Sequence, residues 1–138
     1  MNVIVIGKRG TIGGWAEYIS TAFKREGHKA EVFSIAGNNH LQHLKYKLYK
    51  AKQSQYDKYI EARFEKFIAK NPIDICISLC SYAVPSSIFE CLRSQYPNSV
   101  NIAWVAEKFT DEARYSASLF DQIYYTDTRF VIDHRELG

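Results

Sequence analysis

The sequence predicts an α/β fold: a Rossmann-like, doubly wound parallel sheet of about five strands with helices on both faces. Three observations carry that expectation. The chain opens on a continuous β-branched run, Asn2-Val-Ile-Val-Ile-Gly7, which is how a strand buried on both faces of a parallel sheet reads. A glycine loop, a helical pattern and a second strand follow, completing a βαβ unit within ~35 residues. Further apolar runs then alternate with helical patterns to the end of the chain.

The first helix runs from Trp15 to about Glu26, where Trp15, Ile19, Ala22 and Phe23 recur at helical spacing. It stops at Gly27, with Lys24 and Arg25 in the last turn, where cations suit the helix dipole. Ala30–Ile35 is the second strand. From about Leu41 to Lys70 there is no glycine or proline, which predicts one long helix or two helices broken near Ser54. Leu44, Leu48, Ala51 and Gln55 lie along one stripe of it, with aromatic bulk from Tyr46, Tyr49, Tyr56 and Tyr59. Asn71-Pro72 ends the segment, because a residue before proline is pushed out of the helical region. Ile73–Cys80 is a third strand, Pro85 opens a helix ending near Tyr96-Pro97, and Asn101–Ala106 is a fourth strand. Thr110 caps a helix over 111–119, Gln122–Thr126 is a fifth strand, and a last helix covers roughly 129–137.

At 138 residues the whole chain, 1–138, reads as a single domain able to bury a sizeable core. No apolar run approaches the ~20 residues of a membrane span, and the start lacks signal-peptide character, so a cytoplasmic protein is expected. Cys76, Cys80 and Cys91 form no CxxC pair, and buried structural roles are expected of them rather than metal binding. The histidines His28, His40, His43 and His134 show no metal-ligand spacing either. Charge is uneven: residues 1–40 carry five Lys/Arg and three acids, 41–70 carry eight and three, and 71–138 carry five and nine. A basic middle with an acidic second half argues against a nucleic-acid binder. Lysines 45, 47, 50, 52 and 58, interleaved with tyrosines, form a solvated face or a peripheral contact with an anionic membrane through 45–58.

The candidate binding element is Gly7-Lys-Arg-Gly10-Thr-Ile-Gly13-Gly14, set between a strand and a helix. Glycines there let the backbone turn sharply, and amides at a helix N-terminus point at an anion. Arg9, Gly10, Thr11, Ile12, Gly13 and Gly14 are the expected phosphate-binding residues. The spacing matches neither G-x-G-x-x-G nor the P-loop, and is nearest the G-x-x-G-x-x-G of short-chain dehydrogenases. The second strand ends Phe33-Ser-Ile-Ala-Gly37, without the acid that holds an adenine ribose, and this weakens a nicotinamide reading. A receiver domain is set aside because it needs acids ending the first strand and an acceptor aspartate ending the third. Here those places hold Gly7 and Cys80-Ser81.

Several stretches in order resemble a known family: Gly10-Thr-Ile-Gly-Gly-Trp-Ala, Phe23-Lys-Arg-Glu-Gly-His28, Glu31-Val-Phe, Pro72-Ile-Asp-Ile, Ala103-Trp-Val-Ala-Glu107, and Phe120-Asp-Gln-Ile-Tyr-Tyr-Thr-Asp127 running into Arg135-Glu-Leu-Gly138. Together they look like the N-terminal domain of GT-B glycosyltransferases, in the CgeB-like spore-maturation group. The resemblance implies the acceptor-side half of a nucleotide-sugar-dependent glycosyltransferase, inactive alone and completed by a C-terminal donor-binding domain or partner chain. It implies a UDP- or GDP-type sugar donor as co-substrate, a sugar or glycan acceptor, and no required cofactor. Glu107, just after the fourth strand, is then the candidate general base, while Asp111 and Glu112 match a helix dipole and Asp127 caps the last helix. The alternative expectation is a stand-alone NAD(P)- or nucleotide-binding module.

Overall fold

The computed structural model describes residues 1–7, 14–79, 84–105 and 117–126. Along the chain lie β1 (Asn2–Gly7), α1 (Trp15–Arg25), β2 (Lys29–Ser34), α2 (His40–Tyr49), α3 (Gln53–Ile68), β3 (Ile75–Ser78), α4 (Ser86–Gln95), β4 (Val100–Val105) and β5 (Gln122–Tyr125). The five strands form one parallel sheet in the order β2-β1-β3-β4-β5. The predicted helices over 111–119 and 129–137 lie wholly or largely outside the described residues.

Side-chain alternation in β1 divides the core. Val3 and Val5 face α1 with Val32 and Ile77, while Ile4 and Ile6 face the opposite side with Phe33, Phe64, Ile88 and Phe89. Helices therefore cover both faces, as a doubly wound sheet requires: right-handed crossovers running in opposite directions from β1 place their helices on opposite sides. The predicted fold class is the one observed.

Strand order corrects the family expectation. A Rossmann-type half places its third strand outside β2, giving 3-2-1-4-5. In this chain β3 pairs with β1 directly, Val3 opposite Ile75 and Ile6 opposite Ser78. The resulting 2-1-3-4-5 order is that of flavodoxin and CheY. Both a GT-B acceptor half and a dinucleotide-binding module call for the other order.

The segment 41–70 is two helices, and the break falls at Lys50–Lys52, slightly before the expected place near Ser54. Asn39 caps α2, its Oδ1 accepting from the Gln42 amide at 2.9 Å. Ahead of it, Gly37 adopts φ +90°, a left-handed turn that favours glycine. Helix α3 packs on the sheet through Tyr56, Ile60, Phe64 and Ile68. At the amino ends of the strands, Asp74 Oδ2 accepts from the Asn2 amide at 2.6 Å, and Asp121 Oδ2 from the Asn101 amide at 2.7 Å. Both carboxylates thus serve strand starts, away from the carboxyl edge where open α/β sheets bind ligands.

Candidate functional site at the carboxyl ends of β1 and β3

The strand order reverses between β1 and β3, so the crevice beyond their carboxyl ends is the place where this topology binds ligands. Its described walls are Gly7, the start of α1 at Gly14 and Trp15, and Ser78 with Leu79. The Leu79 amide donates to Ile6 O at 2.9 Å and the Ile35 amide to Gly7 O at 3.0 Å, which fixes the three strand ends together.

Gly7 has a steric reason. A Cβ added there would lie 3.0 Å from Ala16 Cβ and 3.6 Å from Leu79 Cδ1. Helix α1 has closed onto the end of β1, leaving no room for a longer side chain unless the helix shifts. Gly14, the residue before α1, has φ +56° and makes no side-chain cap bond.

The chemistry of the crevice follows from composition. Residues 1–16 and 75–89 contain no aspartate or glutamate, while Lys8 and Arg9 sit between β1 and α1 in sequence. Among the described residues no group of three His, Cys, Asp or Glu side chains is placed to hold a metal ion. Ser78 is fully buried, and its Oγ makes no hydrogen bond among the described residues. Of the predicted binding residues, Gly14 is described at the head of α1. Arg9, Gly10, Thr11, Ile12 and Gly13 lie outside the described residues, as do Glu107, Asp111, Glu112, Asp127, Cys80 and His134. A separate pocket of about 400 Å3, lined among others by Lys24, His28, Lys29 and Lys70, opens at the opposite, amino end of the strands.

The two described cysteines, Cys76 and Cys91, carry no reactive signature. Burial pushes the Cys76 thiol far above the ordinary range, and burial followed by the nearby Glu65 charge raises that of Cys91. Sequence reasoning missed two exposed apolar features. Trp104 and Tyr124 stand side by side across β4 and β5, each about half exposed. Leu41, Leu44 and Leu48 point outward from α2. The second feature was visible in the leucine spacing; the first depended on which strands neighbour each other.

No protein-family model matches the chain, and no curated protein matches it in sequence. Solved structures similar in fold include a response regulator from Thermotoga maritima, 9% identical, with 99% of this chain and 95% of that chain covered and a TM-score of 0.49. Another is a chain from the complex of histidine kinase ThkA with the response regulator protein TrrA, 13% identical, with 99% and 96% covered and a TM-score of 0.48. A third is a receiver domain of a Francisella response regulator, 14% identical, with both chains covered in full and a TM-score of 0.48. These neighbours are response regulators, not glycosyltransferases. The strand order overturns the GT-B resemblance, and with it go the transferase function, nucleotide-sugar donor, glycan acceptor and donor-domain partner that it implied. The NAD(P)-binding Rossmann alternative falls on the same order. The acids missing at Gly7 speak to chemistry; they do not exclude a receiver-type topology.

Proposed function

We propose that this chain is a protein-docking domain of receiver-type topology that carries no aspartyl phosphate. The observation that carries the reading is Gly7, packed against Ala16 at the switch point where such chemistry would need a carboxylate. Aspartyl phosphate formation needs an acceptor carboxylate and further acids to hold a divalent cation beside it. The two central strand ends supply neither: β1 ends in glycine, β3 ends in serine and leucine, and the loops after them contain no acid. With no acid in either flanking stretch, the remaining asset of the fold is its surface, and exposed apolar groups on α2, β4 and β5 fit a role in contacts. On sequence alone, Arg9 and the glycine-rich stretch 10–14 suit an anionic group on the docked partner. No described helix is long and apolar enough to cross a membrane, and free thiols at Cys76 and Cys91 fit a cytoplasmic setting.

Incubation of the full chain with acetyl phosphate and magnesium, followed by intact-mass measurement, tests the chemical half of this reading. The mass is expected to stay unchanged. A hydroxylamine-labile phosphoryl adduct would overturn it.

A further inference from the structure

A crossover between parallel strands needs one helix, and in the β2–β3 connection α3 fills that role with four buried side chains. Helix α2 is additional. It buries only Tyr46 and is held on α3 by ring contacts, Tyr46 with Tyr56 and Tyr49 with Tyr59, and by the Tyr59 hydroxyl donating to Gln42 O at 3.1 Å. Its opposite side carries Leu41, Leu44 and Leu48, exposed by 62%, 55% and 63%.

The spacing of these leucines is i, i+3, i+7, which is the a-d-a seam of a heptad. With Leu41 and Leu48 at a and Leu44 at d, Lys45 falls at e and Lys47 at g. Tyr46 falls at f, the position turned away from a seam, and it is the residue that α2 buries. Lysines therefore flank the leucine stripe on both sides. Between Val32 and Tyr56 the chain has lysines 45, 47, 50 and 52 and no acid at all. In helix pairing the e and g charges choose the partner.

We infer that α2 is a docking helix, and that its occupant is an amphipathic helix of a partner protein with carboxylates flanking its own apolar seam. A second copy of this chain does not fit, because α2 against α2 would set lysines opposite lysines. A lipid surface fits less well, because interfacial helices present a broad apolar face with Trp or Phe, whereas this seam is a single stripe three leucines long with lysines on both sides. The inference rests on the docking reading. The acyl-phosphate experiment bears on the strand ends alone, so the two can fail separately.

The test uses the full chain and a labelled synthetic helical peptide with leucine at a and d and glutamate at e and g, alongside the same peptide with lysine at e and g. Fluorescence anisotropy is expected to show binding of the acidic peptide, weakened by added salt, and none of the basic one. Leu44→Gln with Leu48→Gln, both exposed and so harmless to folding, should weaken binding roughly tenfold or more. Lys45→Glu with Lys47→Glu should transfer the preference to the basic peptide. Equal binding of both peptides, or of neither, would overturn the inference. So would co-sedimentation with phosphatidylserine vesicles that the leucine substitutions abolish, or self-association of the free chain that they abolish.

Discussion

Arg63 on α3 grips the end of β2 through Ser34: Nη2 donates to Ser34 O at 2.7 Å, and Nη1 to the next carbonyl, Ile35 O, at 2.8 Å. The guanidinium also lies over the Phe33 and Tyr59 rings, at 5.2 and 5.3 Å from their centroids. Desolvation lowers its pKa from the ordinary arginine value, with the neighbouring Tyr59 opposing that shift. One side chain thus satisfies two carbonyls beyond the reach of the strand ladder and ties the crossover helix to the sheet edge.

Arg63→Lys keeps the charge but not the two-pronged geometry, and Arg63→Met keeps only the stem. Hydrogen bonds from a charged donor are worth about 1.5–3 kcal/mol, so Arg63→Met should lose about 2 kcal/mol of unfolding free energy in urea. Arg63→Lys should fall between Met and wild type. Equal stability of all three proteins would show that the grip contributes nothing.

Two glycines hold the fold by close approach, and alanine at either should be destabilising. At Gly37 an added Cβ would sit 2.3 Å from Gln42 Cβ and 3.2 Å from a backbone carbon, on a backbone with φ +90°. Strain of that kind costs about 1–3 kcal/mol. At Gly7 the clash is with Ala16 Cβ, at 3.0 Å, and the helix must give by a few tenths of an ångström. Gly7→Ala should therefore cost less than Gly37→Ala, on the order of 1 kcal/mol. Chemical denaturation of the two variants side by side reads the difference, and the reverse ranking would contradict these distances.

The alternation of strands and helices was legible because β1 is apolar on both faces and Gly27, Asn71-Pro72 and Pro85 punctuate the helices. The side of β1 on which β3 docks was not. Ile75, Cys76 and Ile77 are as apolar in one order as in the other, and a strand, glycine loop and helix open both kinds of sheet. The glycosyltransferase resemblance rested on short stretches recurring in order along the chain. Order along the chain does not say which strands become neighbours in the sheet, which is why the resemblance failed at the level of topology. The α2 seam was obscured for a different reason. Treated as continuous with α3, Leu44 and Leu48 line up with Ala51 and Gln55, and only the break at Lys50–Lys52 separates them from the helix that packs on the sheet. The carboxylates Asp74 and Asp121 were likewise unreadable as strand-start acceptors until the strands had neighbours.

Ser78 offers a test of the switch point as structure rather than site. Its hydroxyl is fully buried with no hydrogen bond among the described residues, so its desolvation is uncompensated there. Removing such a group leaves little void and relieves the penalty. Ser78→Ala should stabilise the protein by about 1 kcal/mol. A loss of stability in thermal or urea unfolding would mean that the hydroxyl has a partner it needs.

Cys76 links stability to alkaline pH. Its thiol is fully buried between Ile4 and Asn101 on neighbouring strands, and desolvation raises its pKa well above the unfolded value near ~8.5. A raised pKa on an acidic group means that the folded state keeps a proton the unfolded chain releases. The contribution is complete below the unfolded pKa and declines as pH rises above it, by at most about 1.4 kcal/mol per pH unit. Cys76→Ala removes the titration, so its stability should fall less steeply than wild type between about pH 8 and 10. Cys91, half-buried and accepting from Gln95 Nε2 at 3.3 Å, should alkylate in the folded protein more slowly than a free thiol, while Cys76 should react only on unfolding. Parallel pH slopes for wild type and Cys76→Ala, or modification of Cys76 in the native state, would contradict its burial.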